Sequence, residues 1–249
     1  MVIKKMHTFS VSQNLANSQQ DFKIKAVLFD VDNTLIDFMK MKRGCCKAAI
    51  DAMISAGLKM KKEAALKLLF DLYEIHGIES QRIFQSFTKK IYGKENYRLI
   101  SHGVIAYRKM RESYLVPYNN VIPTLLELKK NGYRLAIVSD APIMEAWMRL
   151  ASLKLDDFFD VIITRADARK QKTSTAPFNI ALKRLGIKPS EAIMIGDRIS
   201  RDVNTAKKLG IRTIYARYGD ENPAKSGESG ADFEISDISE VLEVMKRVS

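Results

Sequence analysis

Ile24-Lys25-Ala26-Val27-Leu28-Phe29, running straight into Asp30-Val31-Asp32-Asn33-Thr34, is the stretch on which the reading of this chain turns. The first part is a short apolar run rich in strand-forming residues, and the second is an acidic loop. A run apolar on both faces fits a strand buried inside a parallel sheet, with its carboxylates delivered at the C-terminal end. Downstream the pattern repeats. Strands are expected at Arg134–Val138, Val161–Thr164, Ala192–Ile195 and Arg212–Ala216, between helices at Val121–Asn131, Met144–Leu153, Ala176–Leu185 and Val203–Leu209. Gly132, Gly186 and Gly210 stand just past three of those helices, where a left-handed residue ends a helix. An edge strand Asp232–Ile235 and a closing helix Ser239–Lys246 complete the series. Alternating strands and helices imply an α/β fold, a parallel sheet covered on both faces.

Between the first strand and the second the periodicity becomes helical, with helices expected at Met41–Ala56, Lys61–His76, Ser80–Ile91 and Tyr97–Tyr114. The expected organisation is therefore a Rossmann-like core from residues 22–39 and 117–249, an inserted all-helical module over 40–116, and an N-terminal extension over 1–21. The two connections, Asp37–Lys40 and Val116–Asn119, are the expected hinges.

Composition bounds the rest. A chain of 249 residues with 46% hydrophobic residues can bury a proper core. No run of about 18 apolar residues occurs, which argues against a membrane span, and residues 1–21 lack the apolar stretch of a secretion signal. The only cysteines, Cys45 and Cys46, are adjacent, which suits neither a disulfide framework nor a zinc site. A cytoplasmic protein is expected. The net charge of +12 invites a polyanion partner, but Lys and Arg are interspersed with Asp and Glu and never form a block of five, so a nucleic-acid partner is not expected. His7, His76 and His102 are scattered and read as surface or packing residues.

Three strand ends carry groups that fit together: Asp30 with Asp32, Ser139 with Asp140, and Gly196-Asp197. An isolated Asp-x-Asp is often only a turn; a second acidic loop at the end of another strand weakens that reading. With these residues in place, Asp30-Val31-Asp32-Asn33-Thr34 resembles the DxDx(T/V) signature of the haloacid dehalogenase superfamily. Ser139 resembles its second motif, Lys172 its third, and Gly196-Asp197-Arg198-Ile199-Ser200-Arg201-Asp202 its fourth, GDxxxxD. The resemblance extends from Ile24 to the C-terminus, and the helical insert is similar to the cap of the subclass that places one after the first motif. Family members usually have prolines where Thr173 and Thr175 stand here, which leaves Lys170 as a competitor for the motif lysine.

The resemblance implies a phosphohydrolase in which Asp30 is the nucleophile and is transiently phosphorylated. It implies Mg²⁺ held by Asp30, Asp197 and the backbone carbonyl of Asp32, hard oxygen donors of the kind that ion prefers. Asp32 is the implied acid and then base, and its presence favours phosphoryl transfer over carbon–halogen cleavage. Ser139, Asp140 and Lys172 are the implied phosphate-binding groups, with Lys172 supplying fixed positive charge. Thr34 orients the loop. Asp202 holds Lys172 or the metal's waters, or else caps the following helix.

The substrate implied is a small phosphate monoester, met by a monomer or homodimer; the pattern looks most like archaeal-type phosphatases that act on glyceraldehyde 3-phosphate. Lys40, Lys42, Arg43, Arg108, Lys109 and Arg111 flank the joins of the insert and either steer an anion or form solvated helix faces. Tyr107 and Tyr114 either line the cleft or pack. A phosphomutase and a non-catalytic binding protein on the same fold are the alternatives.

Overall fold

Ala26–Phe29 forms the central strand, β1, and all four residues are fully buried. In a computed structural model, which describes residues 23–248, β1 lies between β2 (Arg134–Val138) and β4 (Ala192–Gly196). Outside them run β3 (Val161–Ile163), β5 (Arg212–Ala216) and β6 (Phe233–Ile235), giving the order β3-β2-β1-β4-β5-β6 with every pairing parallel. The chain direction across the sheet reverses between β1 and β4, and sheets of this kind hold ligands at that switch point, beyond the carboxyl ends of the strands. The register sets Phe29 beside both Ile137 and Ile195, so Asp30, Ser139 and Asp197 emerge at one edge. The expected extension over residues 1–21 lies outside the described residues.

Strand alternation sorts the core into two faces. Val27 and Phe29 join a cluster with α5 (Val121–Lys130) and α10 (Val241–Val248). Ala26 and Leu28 face the other way, onto α8 (Ala176–Leu185) and Ala206 of the short α9 (Asn204–Lys207). The remaining core helices are α6 (Ile143–Ser152) and the single turn α7 (Arg165–Ala168).

The insert contributes α1 (Phe38–Ser55), α2 (Lys62–His76), α3 (Ile83–Tyr92) and α4 (Tyr97–Tyr114), gathered around a cluster of their own that includes Met53, Leu69, Phe87 and Ile100. Helices α1 and α4 approach closely because Gly44 leaves room for a ring: a Cβ there would stand 2.6 Å from Tyr114. Helix α1 starts three residues before the expected Met41, since Asp37 caps it by accepting from the Lys40 N–H at 3.1 Å. Its first turns, through Phe38, Met41 and Cys45, pack on the sheet cluster instead of on the insert. Helix α3 starts later than Ser80, because Ser80 closes a turn onto the Gly77 carbonyl. The helix expected at Val203–Leu209 opens instead as a wide turn, Ile199–Val203, before α9. The two connections of the insert run side by side, with Ile36 bridged to Pro117 and Tyr118 donating to the Leu35 carbonyl at 2.9 Å. Among the described residues no helix is long and apolar enough to cross a membrane.

Asp160 ties the sheet edge together, accepting from the Leu135 N–H at 2.8 Å and from Lys129 Nζ at 3.0 Å. Burial opposes its ionisation, but these donors outweigh it and hold the carboxyl below its ordinary 3.8. A depressed folded-state pKa contributes stability above the unfolded value that disappears as pH falls through the folded one. Asp160→Ala should therefore cost about 1 kcal/mol near neutrality, and the gap between thermal melts of the pair should narrow as pH falls through the depressed folded-state value.

Candidate active site

The carboxyl end of the sheet and the facing surface of α2 and its following turn enclose a cavity of about 870 Å³. Asp30, Asp32, Ser139, Asp140, Lys172 and Asp197 all line it. Asp30 leaves β1 with its N–H still bonded to the Ile195 carbonyl at 2.9 Å, so the sheet ladder fixes it. Ser139 is likewise tied, its N–H to the Ile163 carbonyl at 2.9 Å and its Oγ accepting from the Ala141 N–H at 3.1 Å.

Lys172 is the hub. Its Nζ lies 2.6 Å from Asp30 Oδ1 and 2.6 Å from Asp202 Oδ1, and its side chain is 3% exposed. Burial pulls an ammonium toward neutrality, but Asp202 and then Asp30 outweigh it and hold Lys172 above its usual range, fully charged. Lys170 stays exposed on the surface, so the geometry selects Lys172 between the two. Asp202 does not cap a helix: it sits within the wide turn, its Oδ2 accepting from the Arg198 N–H at 3.0 Å. A Cβ on Gly196 would stand 2.3 Å from Asp202 Cγ, so only glycine lets that carboxylate reach Lys172 across the end of β4.

Asp30, Asp197 and Asp202 each bring a carboxylate oxygen within 4.8 Å of the others, and all are buried. Among the described residues, Asp197 Oδ1 has no hydrogen-bond partner. Burial, then the charges of Asp30 and Asp202, push Asp197 well above the usual carboxylate range. A cluster with more carboxylates than cations and an unpartnered buried oxygen fits a hard divalent cation. The side chain of Asp32 is not among this group; it points to a different partner.

That partner is Arg149, on α6. Its Nη1 donates to Asp32 Oδ2 at 2.6 Å, its Nη2 to Glu79 of the insert, and its guanidinium lies 4.6 Å from the Phe38 ring. Burial pushes the Asp32 carboxyl up to about 7 although Arg149 pulls it down. Arg149 escaped the sequence reading, yet a signal existed: it falls in register with buried Ala146 and Leu150, a charge on the core face of a helix. Asp140 lines the cavity, and its side chain accepts from the Lys172 N–H at 2.7 Å and sits 3.3 Å from Arg201 Nη1, so that carboxylate positions the lysine loop. Lys42 departs from the expected solvated face, being buried.

Thr34 is fully buried, with its carbonyl accepting from Tyr218 Oη at 2.6 Å. Its neighbour Asn33 takes a left-handed φ of 59° and accepts from the Met39 N–H at 3.1 Å, linking the loop to α1. Gly219 abuts the same loop: a Cβ there would fall 1.6 Å from the Asn33 carbonyl oxygen, which no rotamer change relieves. Gly219→Ala should displace the loop at a cost on the order of 3 kcal/mol, read as a lowered denaturant midpoint with an unchanged m-value.

The profile of the haloacid dehalogenase-like hydrolases matches residues 27–216, which spans β1 to β5, the insert and the residues Asp30, Asp32, Ser139, Lys172, Asp197 and Asp202. The chain belongs to the haloacid dehalogenase-like hydrolases. Among relatives, it is 33% identical over 225 residues to the glyceraldehyde 3-phosphate phosphatase of Methanothermobacter thermautotrophicus, covering 89% of this chain and 100% of that one. It is 29% identical to the pyrophosphatase PpaX of Bacillus velezensis, over 90% of this chain and 97% of that one. A solved phosphatase of the family from Thermococcus onnurineus superposes with a TM-score of 0.66 at 30% identity, over 89% of this chain and 98% of that one. This haloacid dehalogenase-like hydrolase is thus a phosphatase, and the expected α/β core is the one the sheet displays.

Proposed function

We propose that the protein is a magnesium-dependent phosphatase of small phosphate monoesters, working through an aspartyl-phosphate on Asp30. The observation that carries this reading is the pairing of Asp30 with charged Lys172 inside a three-carboxylate cluster that holds an unpartnered oxygen on Asp197. Asp30 and Asp197, with the Asp32 carbonyl, are the groups assigned to Mg²⁺; when bound, the ion supplies neutralising charge to the phosphate and the attacking carboxylate.

The rest falls to the chain's own residues. An Asp30 oxygen forms a bond to phosphorus as the ester P–O bond breaks, and Asp32 gives its proton to the departing alkoxide. Asp32 then takes a proton from water, whose oxygen attacks phosphorus; the Asp30–phosphorus bond breaks and inorganic phosphate leaves. Lys172 and Ser139 hold the transferring group, with Asp140 positioning the lysine. Thr34 and Asp202 orient the loop and the lysine.

In this reading residues 22–39 and 117–249 are the core and 40–116 the cap, which closes the cavity and selects the leaving group. Its separate apolar cluster supports that division. Glyceraldehyde 3-phosphate or a comparable sugar phosphate is the proposed substrate, on the strength of full-length likeness to phosphatases of that name. The test is p-nitrophenyl phosphate hydrolysis with Mg²⁺ and with EDTA, followed by a panel of small phosphates. Turnover with Mg²⁺ that EDTA removes is expected. Undiminished turnover in EDTA would sink the metal assignment, and no turnover of any panel member would sink the phosphatase assignment.

A further inference from the structure

Lys42, on α1, is 4% exposed, and among the described residues nothing forms a hydrogen bond or ion pair with its ammonium. Its Nζ lies 4.3 Å from the Tyr73 ring centroid, 5.4 Å from that of Tyr107 and 5.9 Å from that of Phe38. Aromatic faces attract a cation but accept its N–H bonds poorly, and the Glu79 carboxylate reaches Lys42 only through its field, so the ammonium still lacks a hydrogen-bonding oxygen from the described residues. Burial accordingly pulls it below its ordinary pKa.

The ammonium borders a second cavity, about 250 Å³, also lined by Arg108, Arg111 and Arg149 against Glu79 and Glu145. Arg111 pairs with Glu145 at 2.8 Å, and Arg149 engages Glu79 and Asp32, so four cations, Lys42 and exposed Arg108 among them, meet three carboxylates, with Glu79 shared between Arg149 and Lys42. Phe38, Tyr73, Glu79 and Ser80 line this cavity and the catalytic one alike, so they form the wall between them.

We infer that the cavity beside Lys42 is a second anion site, which takes a free oxyanion of phosphate size separately from the catalytic cavity. An oxyanion supplies the acceptors the ammonium lacks and balances the excess charge, and the volume suits an ion or a small acid better than a nucleotide. Arg149 borders the site and also bonds Asp32, which gives an anion bound here a physical route to the catalytic loop.

The site needs no metal, and this separates it from the catalytic cluster, whose carboxylates repel phosphate without one. Titration calorimetry of the full chain with inorganic phosphate in EDTA should find one phosphate per chain. Lys42→Met should weaken it about tenfold or more, the loss of a charge-assisted contact, and Arg111→Gln by a smaller factor. No binding by the parent chain in EDTA overturns the inference. So does binding that neither substitution weakens, which would place the phosphate elsewhere. Should Lys42→Met fail to fold, Arg111→Gln decides: an unchanged affinity overturns the site. Failure of the phosphatase reading would show separately, as absent Mg²⁺-dependent turnover in the parent chain.

Discussion

Asp30→Asn is expected to abolish turnover while leaving the fold at least as stable as in the parent chain. An amide is no nucleophile toward phosphorus, so turnover should fall by about 10⁴-fold or more, as when a covalent catalyst is removed elsewhere. Stability moves the other way. Asp30 stands in a buried group with Asp197 and Asp202, served by Lys172 as its one buried cation. Neutralising one of three crowded carboxylates relieves repulsion, and Lys172 keeps Asp202 at 2.6 Å. Melts in EDTA should show an equal or higher midpoint, and the gain that Mg²⁺ confers on the parent through preferential binding to the folded state should shrink. Turnover within tenfold of the parent would remove Asp30 as the nucleophile.

Lys172→Met should be damaging in both respects. It leaves Asp30 and Asp202 buried without their cation, and breaking such a pair costs about 3–5 kcal/mol. In the proposed mechanism it also removes the fixed charge that faces the transferring phosphoryl group, and losing a comparable stabilising donor lowers kcat by about 10²–10³-fold. Added Mg²⁺ should restore part of the stability by supplying another cation but little of the turnover. Lys172→Arg should not rescue, because a planar fork cannot sit between two oxygens that each approach one ammonium at 2.6 Å. Urea midpoints with and without Mg²⁺, beside p-nitrophenyl phosphate turnover, separate the two effects; wild-type stability in the variant would refute the hub role of Lys172.

The sheet was legible because its strands are apolar on both faces and its acidic loops follow them at once, as Phe29-Asp30 and Gly196-Asp197 do. The candidate residues converge for the same reason, since parallel strands in register deliver their ends to one edge. Partners across long sequence separations were not legible. Arg149 meets Asp32 and Glu79 only after α6 and the insert have docked, and Asp140 meets the Lys172 N–H only once the 169–175 segment folds over it. Lys42 followed a similar rule: among charged neighbours it reads as surface, and packing against Tyr73 and Tyr107 reverses that. Local errors, such as the start of α1 and the wide turn at Ile199–Val203, trace to Asp37 and Asp202, each a carboxylate that captures a backbone N–H.

The bridge between Ile36 and Pro117 gives the insert of four helices a modular character. Its entrance and exit stand at one point, so the sheet sees seventy-odd residues as little more than a tight turn, and their number adds almost nothing to the entropy of closing the core. A cap of another size or shape could be spliced at the same doorway without moving a strand, provided that it kept the apolar wedge of Phe38, Met41 and Cys45 that seals the threshold. The insert is thereby free to vary, while the strand ends that carry the acidic loops stay fixed.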